Sequence, residues 1–365
     1  MKNTFGQNIA VTIYGESHGE SIGVVLDGMT AGIPVNRDFI NTQLALRRPS
    51  GKISTSRQEQ DEFKIVSGVF EGRTTGTPIC IVIPNTQTRS KDYSATRALA
   101  RPSHADYTAN CKYHGFEDYR GGGHFSGRIT AGLVAGGAIA LTALKGKGIQ
   151  IGTHIARCGA VKDRAFQDVA KDIEFLKDRS FAVLEESAEI EMKQKIEEIA
   201  KEGDSVGGVL ETAVIGMPAG VGEPWFDTLE GVLSHALFSI PAIKGVQFGE
   251  AFSMVDLMGS QYNDSFRMDG DKIVTATNHN GGINGGISNG MPILFQCAVK
   301  PTPSIYKEQE TVNFFTKENA VLQIQGRHDP AIIHRARVVV DSVTALVLCD
   351  VLSGRFGTDW LYSEV

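Results

Sequence analysis

TAGLVAGGAIALTAL, Thr130 to Leu144, is the stretch that decides the fold. Its residues are small and apolar on every side, so no polar stripe is left to face water. A helix that is apolar all round is a buried one, and this segment predicts a central core helix. Working outward, Ile9–Tyr14 and Ser21–Leu26 read as short Val- and Ile-rich strands around the Gly15–Gly19 turn. Asn36 reads as the N-cap of a helix over Arg37–Leu46 that ends at the basic pair before Pro49. Phe63–Phe70 and Ile79–Ile83 read as strands separated by Thr/Gly turn material. Further along, Val209–Ile215 and Ile293–Val299 resume strand character, and Thr228–Leu237 predicts a second core-facing helix. A closing helix of about twenty residues is expected after Pro330. No low-complexity linker divides the chain and no repeat of fixed period is visible. Residues 1–365 are therefore expected to form one interleaved α+β domain.

The composition excludes several classes. With 41% hydrophobic and 21% charged residues, there is ample material for a sizeable core. A net charge of −6 and a pI of about 5.9 argue against a general nucleic-acid binder. No apolar run of the ~18 residues that a span needs is present, so no membrane segment is expected. The N-terminus lacks a basic region followed by an apolar core, so no secretory signal is expected. The five cysteines, Cys80, Cys111, Cys158, Cys297 and Cys349, are scattered. Their spacing fits neither a zinc site nor a disulfide framework. A cytoplasmic setting follows. Much of the negative charge sits in one place: Glu185–Asp204 carries eight acidic residues and three lysines. Met192, Ile196 and Ile199 give the same segment a helical apolar stripe, so it reads as an amphipathic helix with a solvated outer face.

The rest of the chain is nearly balanced, yet its cations bunch. Arg47, Arg48, Lys52 and Arg57 form one group, and Arg97 and Arg101 precede His104. Arg120 and Arg128 bracket a triple glycine, and Arg327, His328, Arg335 and Arg337 form the last group. Arginine binds carboxylate and phosphate through a planar fork, so a small, multiply charged anion is the expected ligand. The 41 glycines, well above the usual share of about 7%, cluster beside these residues, where they suggest backbone brought close to a ligand. GESHGE (15–20) sets Ser17 and His18 on a tight turn after a strand, where His18 is suited to proton transfer or simply bonds to backbone. RPSHADYT (101–108) offers His104 with Asp106 two residues on, without further ligands at metal spacing. RGGGHFSGR (120–128) leads into the core helix, whose N-terminal N–H groups can cradle a phosphate. It is not a P-loop. NHNGGINGG (278–286) could let backbone approach a flat ring, and KPTPS (300–304) supplies a cation and hydroxyls. In GRHDP (326–330), Asp329 reads on its own as the cap of a Pro-started helix.

Taken together, GESHGE, RRP, RPSHADYT, DYRGGG, NHNGGINGGISNG, KPTPS and GRHDP, in this order and at these intervals, resemble the chorismate synthase family. The likeness runs from about Phe5 to Leu352. It implies a β-α-β sandwich, usually a homotetramer, and a carbon–oxygen lyase of the shikimate pathway to the aromatic amino acids. Such enzymes convert 5-enolpyruvylshikimate 3-phosphate to chorismate by 1,4-anti elimination of phosphate. They require reduced FMN without net redox change, with NADPH as an indirect reductant. By the resemblance, His18 is the general acid toward the departing phosphate, His104 lies near flavin N1, and Asp329 lies near flavin N5. Ser17, Arg47, Arg48, Arg101 and Arg128 match substrate-binding positions. His124, Phe125, Ser126, His235, Ala236, Gly285, Gly286, Lys300, Pro301, Thr302, Pro303, Ser304 and Arg327 match flavin-binding ones. No metal is implied.

The sequence departs from the family pattern twice. After the triple glycine the commoner RSSARET is HFSGRIT here, a form that a subset of the family carries; Ser126 and Arg128 are kept. SGKISTSR after Pro49 is one residue short and lacks its second arginine, with Lys52 or Arg57 as substitutes. No intrinsic flavin reductase activity is inferred. Two rival readings share the composition: a flavin-dependent oxidoreductase, which would consume NADPH with each product, and a non-catalytic anion binder, which would turn nothing over.

Overall fold

The computed structural model describes residues 3–49, 53–54, 60–86, 97–324 and 329–362. Two five-stranded antiparallel sheets enclose a layer of helices. The first sheet has the spatial order Thr4–Phe5, Ala10–Gly15, Ser21–Asp27, Ile79–Pro84, Lys64–Ser67. The second runs Ile243–Phe248, Ile293–Val299, Gly208–Ile215, Gln150–Cys158, Val161–Lys162. Each sheet turns alternate residues inward. Ile79, Ile81 and Ile83 are fully buried on one, and Ile293, Phe295, Cys297 and Val299 are buried on the other. The fold is a β-α-β sandwich of the α+β class.

The middle layer is built on the two helices Thr130–Gly146 and Ile333–Phe356, which pack on each other and on opposite sheets. Small residues make that packing possible. A Cβ at Gly132 would stand 2.8 Å from the Gly23 carbonyl oxygen, and one at Gly137 only 2.4 Å from Ser342 Cβ. Glycine thus lets the first helix approach a strand on one side and the long helix on the other. The helical span Gly127–Gly146 is long and apolar enough to cross a bilayer, but 78% of it is buried inside the chain. The helix Arg37–Arg47 starts as expected, with Asn36 Oδ1 accepting from the N–H groups of Asp38 and Phe39. The amphipathic helix Glu186–Lys201 buries Ala188, Met192 and Ile196 and leaves its acids outward.

Two expectations need correction. The strand over Phe63–Phe70 is broken into Lys64–Ser67 and Val69–Phe70. The break falls at Gly68, whose φ is +82° and whose Cβ would lie 2.5 Å from Ile79 Cα, so the chain bends away from its neighbour there. The closing helix starts at Ile333 rather than directly after Pro330, and no side chain caps it. Asp329 is therefore not its N-cap.

Candidate active site

The triple glycine organises the site. Gly121, Gly122 and Gly123 all have positive φ, at 59°, 83° and 53°, which places the backbone where a side chain would otherwise be. A Cβ on Gly121 would lie 2.3 Å from His18 Cε1, and one on Gly122 would lie 3.1 Å from His104 Cε1. The two histidines, far apart in sequence, thus flank one turn.

Each histidine is oriented by a neighbour. His18 is 7% exposed on the hairpin between Ala10–Gly15 and Ser21–Asp27. Ser17 Oγ lies 3.1 Å from His18 Nδ1 and donates toward the carbonyls of Arg120 and Gly121, also at 3.1 Å. With its hydrogen so directed, the hydroxyl oxygen accepts from His18 Nδ1–H. His104 Nδ1 is 3.0 Å from Asp106 Oδ1, a carboxylate that Arg101 grips with Nε at 2.7 Å and Nη2 at 2.6 Å. Burial would raise the Asp106 pKa, but the hydrogen bonds from Arg101 and His104 hold it well below the carboxylate range. Arg101 Nη2 also lies 3.0 Å from His104 Nδ1, so the three groups form one ionic cluster that holds the imidazole ring in place and leaves Nε2 for other partners. His124 is likewise fixed, with Nδ1 donating to the Gly15 carbonyl at 2.7 Å. Ser126 Oγ caps the Arg128 N–H at 3.3 Å, at the entry to the core helix.

Beside this turn lies a cavity of about 1040 Å³. Arg47, Arg48, His104, His124, Phe125, Ser126, Arg128, His235, Ala236, Lys300, Thr302, Pro303, Ser304 and Asp329 all line it. Leu133, Ile332, Val339, Val343, Leu346 and Val347 also line it and give it apolar surface. Ser17, His18, Arg101, Pro301, Gly285 and Gly286 are not among its lining residues. Ser17 and His18 stand behind Gly121, and Arg101 is committed to Asp106 beside a smaller pocket. Gly286 instead accepts from Leu229 N–H at 2.9 Å, on a hairpin near the helix Leu229–Leu237. Pro301 packs near Gly207. Arg327, like His328, Lys52 and Arg57, lies outside the described residues. Lys300 Nζ donates to the Ser103 carbonyl at 2.7 Å, tying the KPTPS turn to the loop that presents His104.

One residue of the site, Asp61, was not singled out by sequence, and another, Arg335, was read only as a member of a cation group. Asp61, with no side-chain exposure, pairs with Arg47 at 3.0 Å and also with Arg128. Burial would raise its pKa, yet the two guanidiniums hold it below the ordinary carboxylate value. Arg335 donates from Nε to the Arg47 carbonyl at 2.8 Å and pairs with Asp329. Both partnerships join residues distant in sequence or across loops, where no local pattern signals them. The cations are also incompletely satisfied. Arg47 Nε, Arg48 Nε and Thr302 Oγ1 are buried without a hydrogen-bond partner. Such groups are costly unless a ligand completes them.

Fold and site together define an α+β protein whose cavity gathers arginines, a lysine and histidines beside apolar side chains. The comparisons are specific. A family model described as chorismate synthase matches residues 9–352. A chorismate synthase from Dehalococcoides mccartyi is 46% identical over 353 residues, covering 96% of both chains. One from Lachnoclostridium phytofermentans is 47% identical over 352 residues, covering 96% of this chain and 95% of that one. A solved structure titled "Crystal Structure of Chorismate Synthase" superposes with a TM-score of 0.76 at 28% identity, covering 97% of this chain and 94% of that one. The chain belongs to the chorismate synthase family. Its activity is that of a phosphate-eliminating lyase in the shikimate pathway to the aromatic amino acids.

Proposed function

We propose that the 1040 Å³ cavity is where 5-enolpyruvylshikimate 3-phosphate loses phosphate by 1,4-anti elimination, beside reduced FMN. The observation that carries this reading is the gathering of Arg47, Arg48, Arg128 and Lys300 on the lining of one cavity that also carries apolar side chains. Guanidinium N–H groups suit the three acidic groups of the substrate, and the apolar side suits a flat ring. The volume exceeds what a single small ligand needs. The residues present thus fit a flavin next to a trianion. His124, Phe125, Ser126, His235, Ala236, Lys300, Thr302 and Ser304 would hold the flavin, and Arg327, Gly285 and Gly286 remain candidates by resemblance. When bound, reduced FMN supplies an electron-rich ring that assists loss of phosphate and of the substrate proton without net redox change.

In this reading Arg47, Arg48 and Arg128 hold the substrate's anionic groups and offset the charge that develops on the leaving phosphate. Arg101, through its contacts to Asp106 and to His104 Nδ1, holds the His104 ring in place. By the family resemblance, His18, oriented by Ser17 and set back from the cavity lining, supplies the proton that the departing phosphate oxygen takes up. His104 and Asp329 hold or relay protons at the opposite end of the elimination. The pH–rate profile tests the proton roles: His18→Ala should lose one limb of the wild-type profile, and an unchanged profile would remove His18 from the mechanism. Flavin titration with the Lys300→Ala variant tests the cavity assignment. Undiminished FMN affinity would place the flavin elsewhere.

A homotetramer and a cytoplasmic enzyme served indirectly by NADPH are part of the same proposal. Trp225, Phe226, Phe252 and Val255 are 85%, 96%, 82% and 75% exposed, and Phe266, Met268 and Ile273 are also outward. Large apolar side chains exposed in such numbers suit burial against further copies. Light scattering should give four times the 39.4 kDa chain mass, and a monomer mass would refute it.

A further inference from the structure

We propose that Asp61 is the positioning residue of the arginine clamp, holding Arg47 and Arg128 in one fixed arrangement before substrate arrives. The proposal rests on the reading that those two arginines bind the substrate's anions. A carboxylate on the wall of an anion site is unexpected, because it repels the ligand. Its geometry explains its presence. Asp61 Oδ2 takes Arg47 Nη2 at 3.0 Å and its other oxygen takes Arg128 Nη1, so one group bridges both cations. The side chains of Arg47 and Arg128 are each 8% exposed and Asp61 is fully covered, so water screens their mutual repulsion poorly. Without Asp61 two buried guanidiniums would face each other uncompensated. Arg128 is further held by Asn85 Oδ1 at Nε and the Pro84 carbonyl at Nη2. Arg47 Nη1 reaches the Gly127 carbonyl at 3.4 Å, which leaves its Nε as the buried donor without a partner. Asp61 thus fixes the orientation of both guanidiniums at the cavity wall. Ordering long side chains in advance removes that entropy from the binding step. The backbone at Asp61 has φ +52°, a conformation that Asp and Asn tolerate better than most residues.

Asp61→Asn is accordingly the test, since it keeps volume and backbone and removes only the charge. Turnover of 5-enolpyruvylshikimate 3-phosphate with pre-reduced FMN should show KM raised about tenfold or more, with kcat within about threefold of wild type. A merely structural role would lower the active fraction, and with it kcat, while leaving KM unchanged; that outcome overturns the proposal. In a double-mutant cycle, the loss in Arg47→Gln/Asp61→Asn should be smaller than the product of the single losses, whereas a full product would contradict action through Arg47. Should Asp61→Asn alone not fold, the double variant is compared with Arg47→Gln, because removing both partners leaves less uncompensated charge. A further rise in KM then supports the role through Arg128, and an unchanged KM refutes it. If Arg47→Gln and Arg128→Gln themselves keep wild-type KM, the clamp reading has failed. If they raise KM and Asp61→Asn does not, only the Asp61 proposal has failed.

Discussion

Asp61 between Arg47 and Arg128, and His154 between Asp163 and Glu211, are both largely buried charged clusters, one at the cavity and one on the second sheet. The second is complete. His154 Nδ1 meets Asp163 and Nε2 meets Glu211, each at 2.9 Å. Asp163 also accepts from the N–H groups of Leu184 and Glu185, and Glu211 from Gln296. The cavity cluster, by contrast, leaves the Nε of Arg47 buried and unmatched. A saturated ionic cluster has nothing left for a ligand and serves the fold. An unsaturated one is costly to the fold unless something binds.

That contrast is sharpest where stability and kinetics can be separated. His154→Leu would strand two buried carboxylates and should cost about 3–5 kcal/mol by denaturant unfolding while leaving KM unchanged. A KM change would break the distinction. The cost has a pH window. Burial lowers the His154 pKa, but hydrogen bonds donated to Asp163 and Glu211 raise it overall, so its contribution is complete below the unfolded value of about 6.5 and declines as pH rises through the folded one. Asp163 and Glu211 are lowered despite their burial, so their contributions are complete above about pH 4.5 and lost as pH falls through their folded values. The difference between wild type and variant should therefore be greatest between about pH 4.5 and 6.5.

His334, at the start of the long helix, gives the next effect. Burial and the nearby Arg335 push its pKa down to about 4, and Ser54 Oγ lies 2.8 Å from its Nε2. The unfolded chain takes up this proton first, so stability should fall by ~3 kcal/mol as pH drops from about 6.5 to 4. His334→Gln should flatten that slope; an unaltered slope would assign it to other groups. On the kinetic side, Gly121→Ala would press a methyl into His18 and should lower kcat on the order of 100-fold, about 2.7 kcal/mol. Gly259→Ala, outside the cavity lining and with open space at its Cβ, is the control and should stay within about twofold. Equal losses in both would argue that the effect does not come from crowding His18. The smallest effect is expected from Glu191→Gln with Glu198→Gln on the acidic helix: within about 0.5 kcal/mol and without change in kcat.

How much of this was legible in sequence depended on how local each cause is. The core helix, the Asn36 cap and the alternation of Ile79 to Ile83 are written within a few residues and were readable. So was the His104 and Asp106 pair, two positions apart, to which Arg101 adds its hydrogen bonds to Asp106. Asp329 was misread as a cap because the helix begins later than Pro330 suggests. Asp61 was invisible: it sits in QDE beside other acids, and its partners Arg47 and Arg128 come from a different helix and a different turn. The resemblance named the arginines but carried no reason for their fixed geometry.

The most direct test of the central claim is anaerobic phosphate release from 5-enolpyruvylshikimate 3-phosphate by the FMN-bound protein, with the flavin reduced beforehand by dithionite. The account predicts chorismate and phosphate in equal amounts, with the flavin still reduced at the end. Folded, flavin-bound protein that releases no phosphate, or that oxidises one flavin for each product, would contradict it.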